Sequence, residues 1–483
     1  MGVKLGLLFS LVFICEFVHD ARAKPNIVFI VTDDMGWNDI GFHNSEIKTP
    51  NIDRLAGEGM ILNMSYAQPI CTPSRSAYLS GWYPFKTGMQ HATIEDKQPD
   101  CASFPSGTLP QALKTEGYTT RMIGKWHLGF CKWECTPTYL GFDSFFGFYN
   151  GAEGFMSHKH AGYLDFREDE SATNNYRGEY STTLFGNKAV EIIESHNTAN
   201  PLFLYLAFQA PHLPMDVPSE YEDQYSQVTV AGRRKFQGMV TAIDDAVSDV
   251  YDALVAREME ANTLIVFTSD NGGNLQGYGN NWPLRGGKAT IWEGGTRVPG
   301  FVHGYGLQNT GITWNGMIHA VDWMPTFITA AIGTPPDGLD GVSQWDALQA
   351  GGSSARTSFI YNIDTKKVPK QGRAAIRMGD FKLIEGYPGA YDGWYQPFTD
   401  SEDNITTLVY RDRKQSDVML FNIADDPEET NDISLTDNTG QVAKLTEELH
   451  LQMAKMVAPV SSDLDPQADP RNYNDVWSPG WCT

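Results

Sequence analysis

After its first two dozen residues the chain has no apolar run approaching the roughly twenty residues that span a bilayer. It has no low-complexity tract, no repeat array, and no HExxH or paired Cys/His spacing of a zinc site. Positive charge is scarce: 36 Lys and Arg stand against 59 Asp and Glu, a formal charge of −23. That balance argues against a nucleic-acid binder, which needs basic patches. An anionic substrate stays open, because a local group of Lys, Arg and His can reverse the field in one cleft. Cysteine is sparse too, at six.

What is present points to export. Lys4, the apolar LGLLFSLVFIC (5–15) and Ala21-Arg22-Ala23 form a signal peptide over residues 1–23 with a small-x-small cleavage site. Asn63-Met64-Ser65 and Asn404-Ile405-Thr406 are glycosylation acceptors suited to that route. With Cys15 removed, Cys71, Cys101, Cys131, Cys135 and Cys482 remain, an odd number for a secreted chain. One thiol is then unpaired, intermolecular or chemically changed. Cys71 is the natural one to leave out of any bridge because of its surroundings.

Short apolar runs alternate with helical segments through the first two-thirds, which predicts an α/β domain with a mostly parallel central sheet flanked by helices. Four runs end in polar residues. IVFIV (27–31) leads to Asp33 and Asp34, and LIVF (264–267) to Asp270 and Asn271. LFLYLAF (202–208) leads to His212, and YTTRMIG (118–124) to Lys125 and His127. Any one strand-ending Asp reads most simply as a turn residue. The four together read as one rim, because ligands of open α/β sheets sit beyond the carboxyl ends of the strands. Asp33, Asp34, Asp270 and Asn271 offer oxygen only, and three of them are charged. Such a set calls for a hard divalent cation, calcium or magnesium.

In PICTPSRSAYLSG (69–81), Thr72 suits a helix N-cap and Pro73 the first helical position, with Gly81 as the stop. Cys71 is then expected just outside the positive end of a helix, with Arg75 in the first turn.

These residues resemble a known family. Cys71-Thr72-Pro73-Ser74-Arg75 matches the CxPSR signature of the sulfatases, and GKWHLG (124–129) resembles their second signature. KTPNIDRLAGEGM (48–60), APHLP (210–214), FTSDNGG (267–273) and NNWPLRGGKATIWEGG (280–295) extend the likeness, which is strongest to the arylsulfatase B group, the N-acetylgalactosamine-4-sulfatases. The resemblance implies an alkaline-phosphatase-like large domain and a smaller α+β domain with an antiparallel sheet. It implies that the formylglycine-generating enzyme converts Cys71 to Cα-formylglycine during export. The hydrated aldehyde then attacks sulfur, and a covalent sulfo-enzyme intermediate breaks down through its second hydroxyl. Asp33, Asp34, Asp270 and Asn271, with residue 71, correspond to the ligands of one Ca2+. Arg75 corresponds to the residue holding the hydrate, Lys125 and Lys288 to sulfate-binding lysines, His127 to the base for sulfate elimination, and His212 to the acid for the leaving oxygen. Gly287 departs from the bulkier basic residue expected there. By the same resemblance Cys101 pairs with Cys135, which leaves Cys131 for Cys482 by parity.

The catalytic domain is expected over 24–365 and the small domain over 366–483. RAAIRMGDFKLIEG (373–386) reads as a hairpin turning near Gly379-Asp380, VMLFNI (418–423) as a strand, and residues 440–457 as a helix. The aromatic stretch EGYPGAYDGWYQPF (385–398) either walls a sugar cleft or packs the domain interface. Expected substrates are sulfated carbohydrates or aryl sulfates, met in the lysosome or outside the cell. Two other readings remain at this point: a phosphonate or phosphodiester hydrolase of the same build, and a non-catalytic extracellular glycoprotein.

Overall fold

The computed structural model describes residues 24–44, 46–397 and 417–482. The expected signal peptide, Asn404 and Phe398 lie outside them. Among the described residues no helix is long and apolar enough to cross a membrane.

A ten-stranded sheet forms the body. In chain order its strands are β1 (Asn26–Thr32), β2 (Met60–Tyr66), β3 (Thr119–Lys125), β4 (Ser144–Phe148), then, after a separate hairpin of β5 (Lys159–His160) and β6 (Tyr163–Leu164), β7 (Arg167–Glu168), β8 (Ser171–Ala172), β9 (Leu202–Ala207), β10 (Thr263–Ser269), β11 (Gly300–Gly304) and β12 (Ile312–His319). The spatial order is β12-β2-β11-β10-β1-β9-β3-β4-β7-β8. From β10 to β4 every pairing is parallel, which makes the centre the parallel sheet the sequence predicts. Strands β1, β9 and β10 are buried throughout, the reason they read as unbroken apolar runs.

Side chains of β1 alternate between two cores, as a period of two requires. Phe29 packs on Tyr78, Tyr205 and Phe327 on one face. Val28 and Ile30 join Phe236, Met239 and Ile243 of the helix Ala231–Ala256 on the other. Register pairs Thr32 with Ser269 and Val31 with Ala207, while Gly124 lies beside Ala207. The carboxyl ends of β10, β1, β9 and β3 therefore lie side by side.

The second sheet is antiparallel, with four strands in sequence order: β13 (Ser358–Ile363), β14 (Ala374–Met378), β15 (Phe381–Glu385) and β16 (Val418–Asn422). Gly379 and Asp380 form the expected two-residue turn, with Gly379 at φ 55°. The helix Thr439–Met453 covers this sheet through Leu445 and Leu449, ending four residues before the expected 457. Strand β13 lies before Lys366, where the small domain was expected to begin, so the small sheet recruits chain from the N-terminal side of that point.

Both bridges form: Cys101–Cys135, and Cys131–Cys482 across 351 residues. The second ties the C-terminal tail to the large domain. There Leu164 of β6 and Trp477 meet through a 2.9 Å backbone bond. Asn63 sits within β2, where its Oδ1 accepts from Arg297 and its Nδ2 donates to Asn315.

Candidate active site

The four strand ends bring Asp33, Asp34, Asp270, Asn271, Lys125, His127 and His212 to one rim. Helix α1 (Pro50–Glu58) packs elsewhere on the sheet; helix α2 (Cys71–Ser80) brings Cys71 and Arg75. The helix starts two residues earlier than expected. Ile70 is the extended N-cap, Cys71 is the first helical residue, and Thr72 caps nothing. The Thr72 hydroxyl instead donates to His127 O at 2.8 Å, tying the start of the helix to the end of β3. A tertiary acceptor has taken a side chain that local chemistry fitted for a cap. Gly81 ends the helix at φ 68°, as read.

Cys71 is buried and unpaired, with Sγ 3.5 Å from Asp33 Oδ1. Ligand atoms of Asp33, Asp34, Cys71 and Asp270 all lie within 4.8 Å of one another. Three cationic side chains stand against the three carboxylates. Arg75, fully buried, reaches Asp270 Oδ2 through Nε at 3.0 Å and Nη2 at 2.9 Å, and donates through Nη1 to Lys125 O. Lys125 Nζ donates to Asp33 Oδ2 at 2.5 Å, and Lys288 Nζ reaches Asp34 Oδ1 at 2.6 Å. Formal charge within this group cancels, three against three.

A hard divalent cation fits these residues. Asn271 spends its amide nitrogen on Asp34 Oδ1 and Gly272 O, which leaves its Oδ1 buried without a hydrogen-bond partner. Asp34 Oδ2 is likewise buried and unbonded. Buried oxygens without donors are costly, and a cation satisfies them. Asp34 holds a left-handed backbone at φ 67° and His127 another at φ 56°, strain of the kind that collects at functional sites.

The local field sets protonation. Burial, then the carboxylates of Asp270 and Asp33, push the Cys71 thiol far above its ordinary value. The start of the helix does not offset them, so this thiol is a poor source of thiolate. Burial and Asp33 raise Asp270 to about 6. Burial, helped by Lys125 and Arg75, drives His127 well below the usual imidazole range. Burial lowers His212 to about 3, with Asp34 opposing and Lys288 assisting. Both rings are therefore neutral. His212 directs Nδ1 to Leu213 O and leaves Nε2 3.7 Å from Asp34 Oδ2.

A cavity of about 630 Å³ opens onto Cys71, His127, His212 and Lys288. Its outer wall is apolar and comes from the small domain: Val368, Pro369, Tyr387 and Ala390. The aromatic stretch is divided between the cavity and the packed interior. Tyr387 faces the cavity, Tyr395 is packed, and Trp394 stacks over Arg285 at 4.5 Å. A Cβ at Gly287 would stand 2.9 Å from Gly273 O and 3.0 Å from Asn281 Nδ2, so backbone packing accounts for the glycine before Lys288. The sequence did not single out Thr72 as a tether, nor His160 and Lys370 on the cavity wall. No motif or periodicity marks them.

The family model "Sulfatase" matches residues 25–334. Arylsulfatase J of Mus musculus is 39% identical over 490 residues, spanning 95% of this chain and 80% of that protein. N-acetylgalactosamine-6-sulfatase of Homo sapiens is 30% identical over 371 residues, spanning 71% and 70%. The solved structure of Ps i-CgsB in complex with k-i-k-neocarrahexaose is similar at a TM-score of 0.77 and 27% identity, over 94% of this chain and 98% of that one. The chain belongs to the sulfatase family, hydrolases of sulfate esters with an alkaline-phosphatase-like fold. Sulfatases generally use a Ca2+ ion and a formylglycine, with which the buried Asp/Asp/Cys/Asp group is compatible.

Proposed function

We propose that this sulfatase removes sulfate from sulfated sugars, in the manner of the arylsulfatase B group acting on N-acetylgalactosamine 4-sulfate units. The observation that carries this reading is the convergence of Cys71 and Arg75 with three carboxylates, two lysines and two histidines at the floor of one cavity. The apolar wall at Val368, Pro369 and Tyr387 suits the C–H face of a sugar ring.

Asp33, Asp34, Asp270, Asn271 and residue 71 hold one Ca2+. A divalent ion added to a group of zero net formal charge makes it doubly positive, which favours an anionic ester. Formylglycine at position 71 and the ion supply, when present, an activated oxygen nucleophile and a Lewis acid. The raised pKa of the Cys71 thiol supports this reading, because an unmodified cysteine here would stay protonated.

The protein's own side chains do the rest. Lys125 and Lys288 bring positive charge to the sulfate oxygens. Arg75 fixes Asp270 and, through Lys125 O, the end of β3. His212 Nε2 faces the cavity and hands a proton to the departing sugar oxygen; His127 takes one as sulfate leaves. His212 Nδ1 faces Leu213 O, a carbonyl that only accepts, so Nδ1 carries a hydrogen and Nε2 is the nitrogen that must be protonated for His212 to act as the acid. The chain divides into a leader (1–23), a catalytic unit (24–365) and a small domain (366–483), and acts in the lysosome or outside the cell after processing by the formylglycine-generating enzyme.

The test compares kcat/KM on oligosaccharides carrying 4-sulfated or 6-sulfated N-acetylgalactosamine and on a phosphodiester. Preference for the 4-sulfate, lost in Cys71→Ala, is expected. Preference for the 6-sulfate overturns the regiochemistry, and preference for the phosphodiester overturns the substrate class.

A further inference from the structure

The His127 ring is buried and held with its Nδ1 side unbonded among the described residues. Such a ring keeps its orientation only through packing, since χ2 of histidine is a soft torsion. Main chain supplies that packing: a Cβ on Gly151 would stand 2.7 Å from Cε1 and 2.9 Å from Nε2 of His127. The ring lies flush against the Gly151 backbone and shifts if Gly151 shifts.

Residues 150–153 are pinned at three points. Asn150 donates from N and Nδ2 to Asp165 Oδ2, both at 2.9 Å. Glu153 and Gln209 exchange a pair of bonds, each 2.8 Å. Between them Ala152 O accepts from His160 Nδ1 at 2.7 Å. A carbonyl only accepts, so Nδ1 carries the hydrogen. His160 Nε2 faces Asp96 Oδ2 at 3.3 Å, and Trp477 Nε1 donates to His160 O at 2.9 Å.

We propose that His160 is a positioning residue for His127, acting through the backbone of Ala152 and Gly151, with Asp96 orienting its ring. The proposal rests on the reading of His127 as the proton acceptor. It links turnover to the tail as well, because Trp477 of the disulfide-tethered C-terminal segment braces the His160 backbone.

Two amides separate the contributions of the two ring nitrogens. Asparagine places its side-chain nitrogen where histidine has Nδ1; glutamine reaches the place of Nε2. His160→Asn keeps the bond to Ala152 and gives up Asp96, and His160→Gln does the reverse. General-base catalysis is worth about 10²–10⁴-fold, so partial misplacement of the base leaves a loss of roughly tenfold or more in kcat. With an aryl sulfate, His160→Asn is expected to stay within about threefold of wild type in kcat. His160→Gln and His160→Ala should each lose about tenfold or more, with KM nearly unchanged, as for an interaction felt in the chemical steps. The Asn and Gln variants differ by one methylene, so a shared folding defect cannot produce the split.

His160 also lines the cavity. A rise in KM with kcat intact, equal for Asn and Gln, would make it a substrate contact and overturn the proposal. So would equal loss of kcat in all three variants. In a His127→Ala background, His160→Gln should cost nothing further. If His127→Ala itself keeps full kcat, the reading of His127 fails and the proposal falls with it; if only the Asn/Gln split is absent, the proposal alone fails.

Discussion

Replacing Arg75 by methionine keeps most of the side chain's bulk and removes its charge. The guanidinium is fully buried and makes two contacts to Asp270 Oδ2, at 2.9 and 3.0 Å, with Asp33 Oδ2 3.8 Å away. Asp270 also lies beside Asp33 and Asp34, and burial already raises it to about 6. Removing one partner of a buried charge pair costs about 3–5 kcal/mol, because the other charge is stranded. Arg75→Met should therefore lower large-domain stability by about that amount when chelator is present. Asp270→Asn removes the stranded charge, so the double variant should cost at least about 1.5 kcal/mol less than the sum of the singles. Urea unfolding followed by tryptophan emission measures all four proteins. Excess Ca2+ should recover part of the loss in Arg75→Met, by giving Asp270 another counter-charge, and recover less in the double variant. Additive single losses, or a loss below about 1 kcal/mol in Arg75→Met, would refute the reasoning.

The other expectations concern the scaffold. His43 stacks on Trp37 at 3.9 Å, and burial lowers it to about 4. The unfolded chain takes up that proton first, so stability is lost as pH falls from about 6.5 towards 4, by up to about 3 kcal/mol. His43→Phe should flatten that acid limb in unfolding curves at pH 7.5, 5.5 and 4.5, and an unchanged limb would clear His43 of the effect. Replacing Cys131 and Cys482 together by serine should cost about 2–5 kcal/mol, read as a lower thermal midpoint. An unshifted midpoint would mean the tether adds no stability. Thr72→Val should reduce kcat severalfold by freeing His127 O, with KM little changed; wild-type turnover would dismiss the tether.

The strand ends were legible because fully buried parallel strands are written as unbroken apolar runs, and the residues after them must be polar. Four such ends, at Asp33, Lys125, His212 and Asp270, marked one rim before any pairing was known. Thr72 was misread because its capping chemistry is local, while its partner, His127 O, comes from another strand. Strand β13 was not singled out, because its pairing with β14 leaves no local sign in the sequence. His160 and Asp96 are 64 residues apart, in a two-residue strand and a loop, where no periodicity exists to read. The aromatic stretch was undecidable from composition: Tyr387 and Tyr395 are chemically alike, and only the path of the backbone turns one to the cavity and packs the other.

The proposed chemistry stands or falls on the side chain at position 71. The tryptic peptide spanning residues 55–75, taken from protein expressed through a secretory pathway and treated with a deglycosidase, carries that residue at a defined place. Its mass should show an aldehyde where the gene encodes a thiol, in proportion to the fraction of molecules that turn over. An intact thiol in a preparation that hydrolyses sulfate esters at full rate would contradict the account.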